Sequence, residues 1–200
     1  IQDSLVGSEM CIRDSTITDP SCYEGLIVRD SIDLSQSGLR FLTIDGAWGI
    51  PHFVDNQNGF KYAALVLDGA SPVLTEIDFQ DIASSSVLTT GLAQPQFVGG
   101  EYIVGNDEDS GVDGPAVQIY SSGTPITPLI MSSPVLIGSD NGCGNNAGGK
   151  PTVWVEDAFI EIDDAEIPIG DYGISLRYSS GSITNSCLLY TSDAADDVRS

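Results

Sequence analysis

One short pattern recurs along the chain and restricts its fold more than any other feature: aliphatic, any residue, aliphatic, polar, small. Leu42-Thr43-Ile44-Asp45-Gly46-Ala47 and Leu65-Val66-Leu67-Asp68-Gly69-Ala70 match closely. Looser copies are Val87-Leu88-Thr89-Thr90-Gly91, Val117-Gln118-Ile119-Tyr120-Ser121, Val153-Trp154-Val155-Glu156-Asp157-Ala158 and Ile174-Ser175-Leu176-Arg177-Tyr178. The shorter intervals between copies fall in the low twenties. The longer ones hold the loops "VGNDEDSGVDG" and "GSDNGCGNNAGG". A second apolar run follows the turn in several copies: "SPVLTEIDF", "TPITPLI", "AFIEIDDAEI" and "SGSITNS". Alternation with a period of two predicts strands, and helical spacing is almost absent. A unit of two or three short strands cannot bury its own apolar face, so such units must stack. The pairs Leu65/Leu67, Val117/Ile119, Val153/Val155 and Ile174/Leu176 are predicted to point inward as aliphatic ladders, spaced by about 4.8 Å. The copy at Leu42 is predicted to stack directly on the copy at Leu65.

The stretch "AALVLDGASPVLTEIDFQDI", residues 63–82, resembles a coil of the right-handed parallel β-helix superfamily, the pectate-lyase-like fold. The turn "GASP" followed by an aliphatic and then alternation carries the resemblance, which covers roughly residues 39–185. The resemblance implies an all-β solenoid whose loops project from an extended surface. The alternative reading of the same strands is an antiparallel β-sandwich.

The two ends do not share this character. Met10-Cys11-Ile12-Arg13-Asp14 can be written in codons as ATG TGT ATA AGA GAC, and Cys187-Leu188-Leu189-Tyr190-Thr191-Ser192 as TGT CTC TTA TAC ACA TCT. These strings are reverse complements over nearly their whole length and resemble the inverted end of a transposase sequencing adapter. Residues 1–15 and 186–200 are therefore read as adapter-derived, and 16–185 as a fragment of a β-helix protein from an environmental assembly, its ends truncated. The tails set aside, Cys22 and Cys143 remain, and their spacing leaves their pairing open.

The chain carries 29 Asp and Glu against 7 Lys and Arg, a formal net charge of −22. Such a surface repels a phosphate backbone, so nucleic acid is excluded as an expected partner, and an anionic membrane surface is disfavoured. There is no apolar run long enough for a spanning helix. Divalent cations are attracted. The loop Asn106–Gly114 alternates oxygen side chains with glycines, and Asp107, Asp109 and Asp113 are candidate Ca²⁺ ligands. Its twelfth position is Val117, so it is not an EF-hand. The plainer reading is a solvated acidic loop.

Stacking would place the residue after the second aliphatic of each copy in one column: Asp45, Asp68, Thr90, Tyr120, Glu156 and Arg177. The resemblance implies a further possibility, since enzymes of that fold that cleave acidic polysaccharides hold calcium with acids and use a basic residue to abstract a proton. Here Arg177 is the only base in the column. The plainer reading makes Asp45 and Asp68 turn residues that cap strand ends. Trp154, Tyr120 and Tyr178 are candidate sugar-contacting aromatics, Trp154 because it lies between two inward valines. Trp48 and His52, the single histidine, fall in the insertion "GAWGIPHFVDNQNGF", expected to serve local packing.

Three functions are therefore expected to compete. The first is a non-catalytic segment of a secreted or cell-surface β-helix protein, structural, adhesive or in contact with carbohydrate. The second is a polysaccharide lyase or glycoside hydrolase of the same fold. The third is a β-sandwich binding module.

Overall fold

The computed structural model describes residues 12–18, 24–29, 38–54, 59–104, 114–121, 124, 127–138, 151–169 and 172–188. Among them there is no helix. The strands are β1 (Ile12–Thr18), β2 (Leu26–Arg29), β3 (Gly38–Asp45), β4 (Ile50–Val54), β5 (Gly59–Asp68), β6 (Val73–Gln80), β7 (Ser85–Thr90), β8 (Gln96–Val98), β9 (Glu101–Ile103), β10 (Val117–Tyr120), β11 (Leu129–Ser132), β12 (Val135–Ile137), β13 (Pro151–Glu156), β14 (Phe159–Asp163), β15 (Glu166–Ile169), β16 (Tyr172–Arg177), β17 (Ser180–Thr184) and β18 (Cys187–Leu188).

They form two curled sheets. An 11-stranded sheet runs β17-β14-β11-β8-β6-β9-β12-β15-β18, with β3 on β6 and β1 on β3. A 7-stranded sheet runs β16-β13-β10-β7-β5-β2, with β4 on β5. The chain alternates between the sheets, and each strand pairs with its equivalent in the next pass. Among the described strands every pair is parallel except β4 with β5. An antiparallel sandwich would require the opposite pairing. β6 is long enough to serve two partners. Val73–Thr75 pairs with β8 and Asp78 with Glu101 of β9, so from β7 onward each pass has three strands instead of two.

Two inward columns from the 7-stranded sheet fill the core. One runs Leu26, Leu65, Val87, Val117, Val153, Ile174, and the other Val28, Leu67, Thr89, Ile119, Val155, Leu176. Opposite them stand Leu39, Leu74, Phe97, Met131 and Ile162. Where the sheet divides, larger side chains fill the interior: Tyr102 packs against Phe79 and Phe97 with ring centroids 5.7 and 5.6 Å away. The Tyr102 hydroxyl is buried without a hydrogen-bond partner among the described residues. Burial, and then the charges of Asp78 and Glu76, push its pKa up.

The corners explain the polar-small end of the repeat. After β5, β7, β10, β13 and β16 of the 7-stranded sheet one residue turns the chain with positive φ: Gly69 (70°), Gly91 (68°), Ser121 (47°), Asp157 (54°) and Tyr178 (51°). Small or Asx residues tolerate this region, whereas a tyrosine there is an outlier. Corner amides continue the ladder between passes: Gly69 N donates to Thr90 O, Ser121 N to Glu156 O and Asp157 N to Arg177 O.

The structure corrects the register of the closest repeat. Leu42 and Ile44 do not stack on Leu65 and Leu67. They belong to β3 in the other sheet and stand opposite Ile77 and Phe79, while Leu65 stands opposite Leu26. The two hexapeptides are alike because each is a strand leaving the core through a corner, not because they are neighbours. Ile12–Thr18 lies parallel on β3 and Cys187–Leu188 on β15, so the segments read as adapter-derived meet the sheet at both boundaries. An open strand edge offers backbone donors and acceptors to any extended segment, whatever its sequence. Cys187 is exposed and, among the described residues, unpaired. Cys22 and Cys143 lie outside the described residues.

Candidate functional site

The outer face of the 7-stranded sheet carries two columns. One is Ile27, Val66, Leu88, Gln118, Trp154 and Ser175, and the other Arg29, Asp68, Thr90, Tyr120, Glu156 and Arg177. The parallel register places Asp68, Glu156 and Arg177 in one line. It places Asp45 elsewhere: Asp45 ends β3 in the other sheet, opposite Gln80. The column begins instead with Arg29, whose Nε lies 3.5 Å from Asp68 Oδ2.

The segment around His52 is a β-hairpin. β4 returns antiparallel along the first half of β5, with Ile50 opposite Ala63 and His52 opposite Lys61. Ile50, Val54 and Ala63 pack with Val66, Leu88 and Tyr120 into a second small core outside the sheet, and Ile27 and Trp154 lean on its edges. His52 Nε2 lies 4.0 Å from Asp68 Oδ2. Phe53 and Phe60 meet edge to face, 5.4 Å apart, both exposed.

This arrangement removes Tyr120 from the candidate sugar contacts. Its side chain is only 2% exposed, with the Lys61 ammonium 5.9 Å from the ring centroid. Its hydroxyl donates to Gln118 Oε1 (3.2 Å), and Gln118 Nε2 donates to Ser85 Oγ (2.6 Å). Burial, and then the Glu156 charge, push the Tyr120 pKa up.

Among the described strands the far end of the column lies on β16. Glu156 is 6% exposed. Its Oε1 lies 3.5 Å from Arg177 Nη1, and its Oε2 accepts from Trp154 Nε1 at 3.3 Å. Arg177 is half exposed, and its guanidinium carbon lies 5.2 Å from the Tyr178 ring centroid. Tyr178 is 80% exposed on its positive-φ corner. Trp154, Glu156, Arg177 and Tyr178 therefore form one connected group, in which a buried carboxylate anchors both an indole and a guanidinium.

Oxygen groups elsewhere are taken up by corner bonds. Thr184 Oγ1 and Asn185 Nδ2 both donate to Asp163 Oδ1, at 2.7 and 2.8 Å. These bonds, the threonine first, hold the Asp163 pKa down. Ser133 Oγ donates to Asp164 Oδ2 at 2.9 Å. Among the described residues no three His, Cys, Asp or Glu are grouped to hold a metal ion. The candidate Ca²⁺ ligands Asp107, Asp109 and Asp113 lie outside those residues. Among them, too, no helix is long and apolar enough to cross a membrane.

Sequence reading did not anticipate the hairpin, Arg29 as the head of the column or the Gln118–Ser85 bond. Asn58-Gly59 beside a short apolar run is a turn signal that marks the hairpin. The other two depend on register. The chain matches no protein-family model, no curated protein and no solved structure.

Proposed function

We propose that the chain is a segment of a right-handed parallel β-helix from a secreted or cell-surface protein, non-catalytic, presenting a rigid face that contacts carbohydrate. The stacked parallel register and the repeated positive-φ corners support the solenoid reading. The right hand follows from the general preference of parallel β crossovers.

The observation that carries the functional reading is the Trp154–Glu156–Arg177–Tyr178 group. An exposed ring beside an anchored guanidinium offers an apolar platform and hydrogen-bond donors at one place, on a rigid stack. The hydrolase reading needs two carboxylates about 5–9.5 Å apart. Asp68 and Glu156 are three strand spacings apart along the column, roughly 14 Å, and Glu156 is buried.

The test is affinity electrophoresis of the protein through gels containing polysaccharides, paired with an assay for new reducing ends. Retardation without cleavage supports the proposal. Cleavage supports the enzymatic alternative, and no retardation by any polysaccharide overturns the carbohydrate reading.

A further inference from the structure

We infer that the Arg177–Tyr178 corner selects uncharged glycans over uronate or sulfated ones; this rests on the carbohydrate reading above. Three observations carry it. First, the three described cations on this face are already engaged. Arg177 lies against Glu156, Arg29 against Asp68, and Lys61 over the Tyr120 ring. A guanidinium whose charge is matched by a carboxylate at 3.5 Å keeps its remaining N–H donors for hydroxyl oxygens but gives an incoming anion little net attraction. Second, the chain's net charge of −22 raises a repulsive field against polyanions. Third, Tyr178 is held in a costly backbone conformation at a position where its neighbours in the column, Ser121 and Asp157, are small. An exposed aromatic in the left-handed region is strain that burial of the side chain does not offset. With Arg177 against the ring, the exposed remainder of Tyr178 is available to stack on the apolar face of a sugar.

Each residue then has a defined part. Tyr178 supplies the stacking surface and Arg177 the donors to sugar hydroxyls. Glu156, too buried to reach a ligand, is a positioning residue that fixes the guanidinium and cancels its charge. Trp154 braces the second oxygen of Glu156.

The experiment uses affinity gels containing a neutral galactan or xyloglucan, or polygalacturonate or alginate, at 50 and 200 mM salt. The wild-type chain is compared with Tyr178→Asn, which tolerates the positive-φ corner without a ring, and Glu156→Gln, which leaves Arg177 unmatched. The proposal expects retardation by the neutral gels, insensitive to salt, and at least a tenfold loss for Tyr178→Asn. For Glu156→Gln it expects new, salt-sensitive retardation by the uronate gels. Circular dichroism melts of both variants establish that they are folded. Wild-type binding to uronate gels alone, falling steeply with salt, overturns the inference and leaves the carbohydrate reading standing. Neutral binding that survives Tyr178→Asn overturns the assignment of the corner. No binding to any gel overturns the carbohydrate reading itself.

Discussion

Leu67 and Leu176 occupy the same inward column, four strand spacings apart, yet Leu67 is fully buried and Leu176 is 46% exposed. The side chains are identical, so the difference comes only from what stands beside them. Leu67 has β2 on one side and β7 on the other, whereas among the described strands β16 pairs with β13 alone. Ile183 on β17 is likewise 42% exposed although its column-mate Ile162 is buried.

This contrast makes the first prediction. Leu67→Ala should cost about 2–5 kcal/mol, the range for truncating a core leucine. Leu176→Ala should cost less than about 1 kcal/mol, because roughly half its surface already meets water. Urea unfolding of the two variants checks this, and equal midpoints would mean that the two positions are equally buried.

The second prediction concerns Glu156. Removing Arg177 leaves a carboxylate of 6% exposure with the Trp154 N–H as its remaining side-chain partner among the described residues. Arg177→Ala should therefore destabilise by roughly 1–3 kcal/mol, the penalty for leaving a buried polar group unsatisfied. Adding Glu156→Gln should recover part of that loss. A double-mutant cycle measures the coupling, and additive effects would show that the pair is not coupled.

A third prediction follows from Asp163. Hydrogen bonds from Thr184 and Asn185 hold its folded-state pKa below the usual 3.8. The unfolded chain then binds more protons across that interval, so the contribution is present above the unfolded pKa and is lost as pH falls through the folded value. Thr184→Val should move the Asp163 titration, followed by carboxyl NMR, back towards 3.8, and an unmoved titration would show that the threonine bond is not the cause.

A fourth prediction lies at alkaline pH. The pKa of Tyr102 is raised by burial from the usual 10.0. The unfolded chain releases this proton first, so stability is full below pH 10.0 and falls as pH rises beyond it. Tyr102→Phe removes a buried hydroxyl that has no partner among the described residues and should be neutral or stabilising at pH 7. It should also flatten the alkaline fall. Thermal melts of both proteins between pH 7 and 11 would reveal parallel curves if Tyr102 were not the group responsible.

The strands were largely legible because burial on one side enforces a period of two. Val117/Ile119 and Val153/Val155 point inward as their alternation implies, and they are fully buried. The order of the passes from Leu65 onward was also legible, since Val87, Val117, Val153 and Ile174 follow in register. The pass before Leu65 was not. Leu42-Thr43-Ile44-Asp45-Gly46 has the same local pattern, but local pattern records only that a strand ends at a corner, not which sheet it joins. Tyr120 was misplaced for a related reason. In the outward columns its exposure depends on the β4–β5 hairpin, which folds back from another part of the chain.

The sequence by itself determined the all-β character, the inward aliphatic positions and the small corner residues. Each of these is imposed by side-chain chemistry and backbone sterics within a few residues. The tertiary structure alone decided that Arg29, not Asp45, heads the outer column, that the hairpin covers Tyr120, and that Glu156 holds Trp154 and Arg177 together. Those are contacts between residues far apart in the chain. They are set by register and by which face another segment covers, quantities that no local window contains.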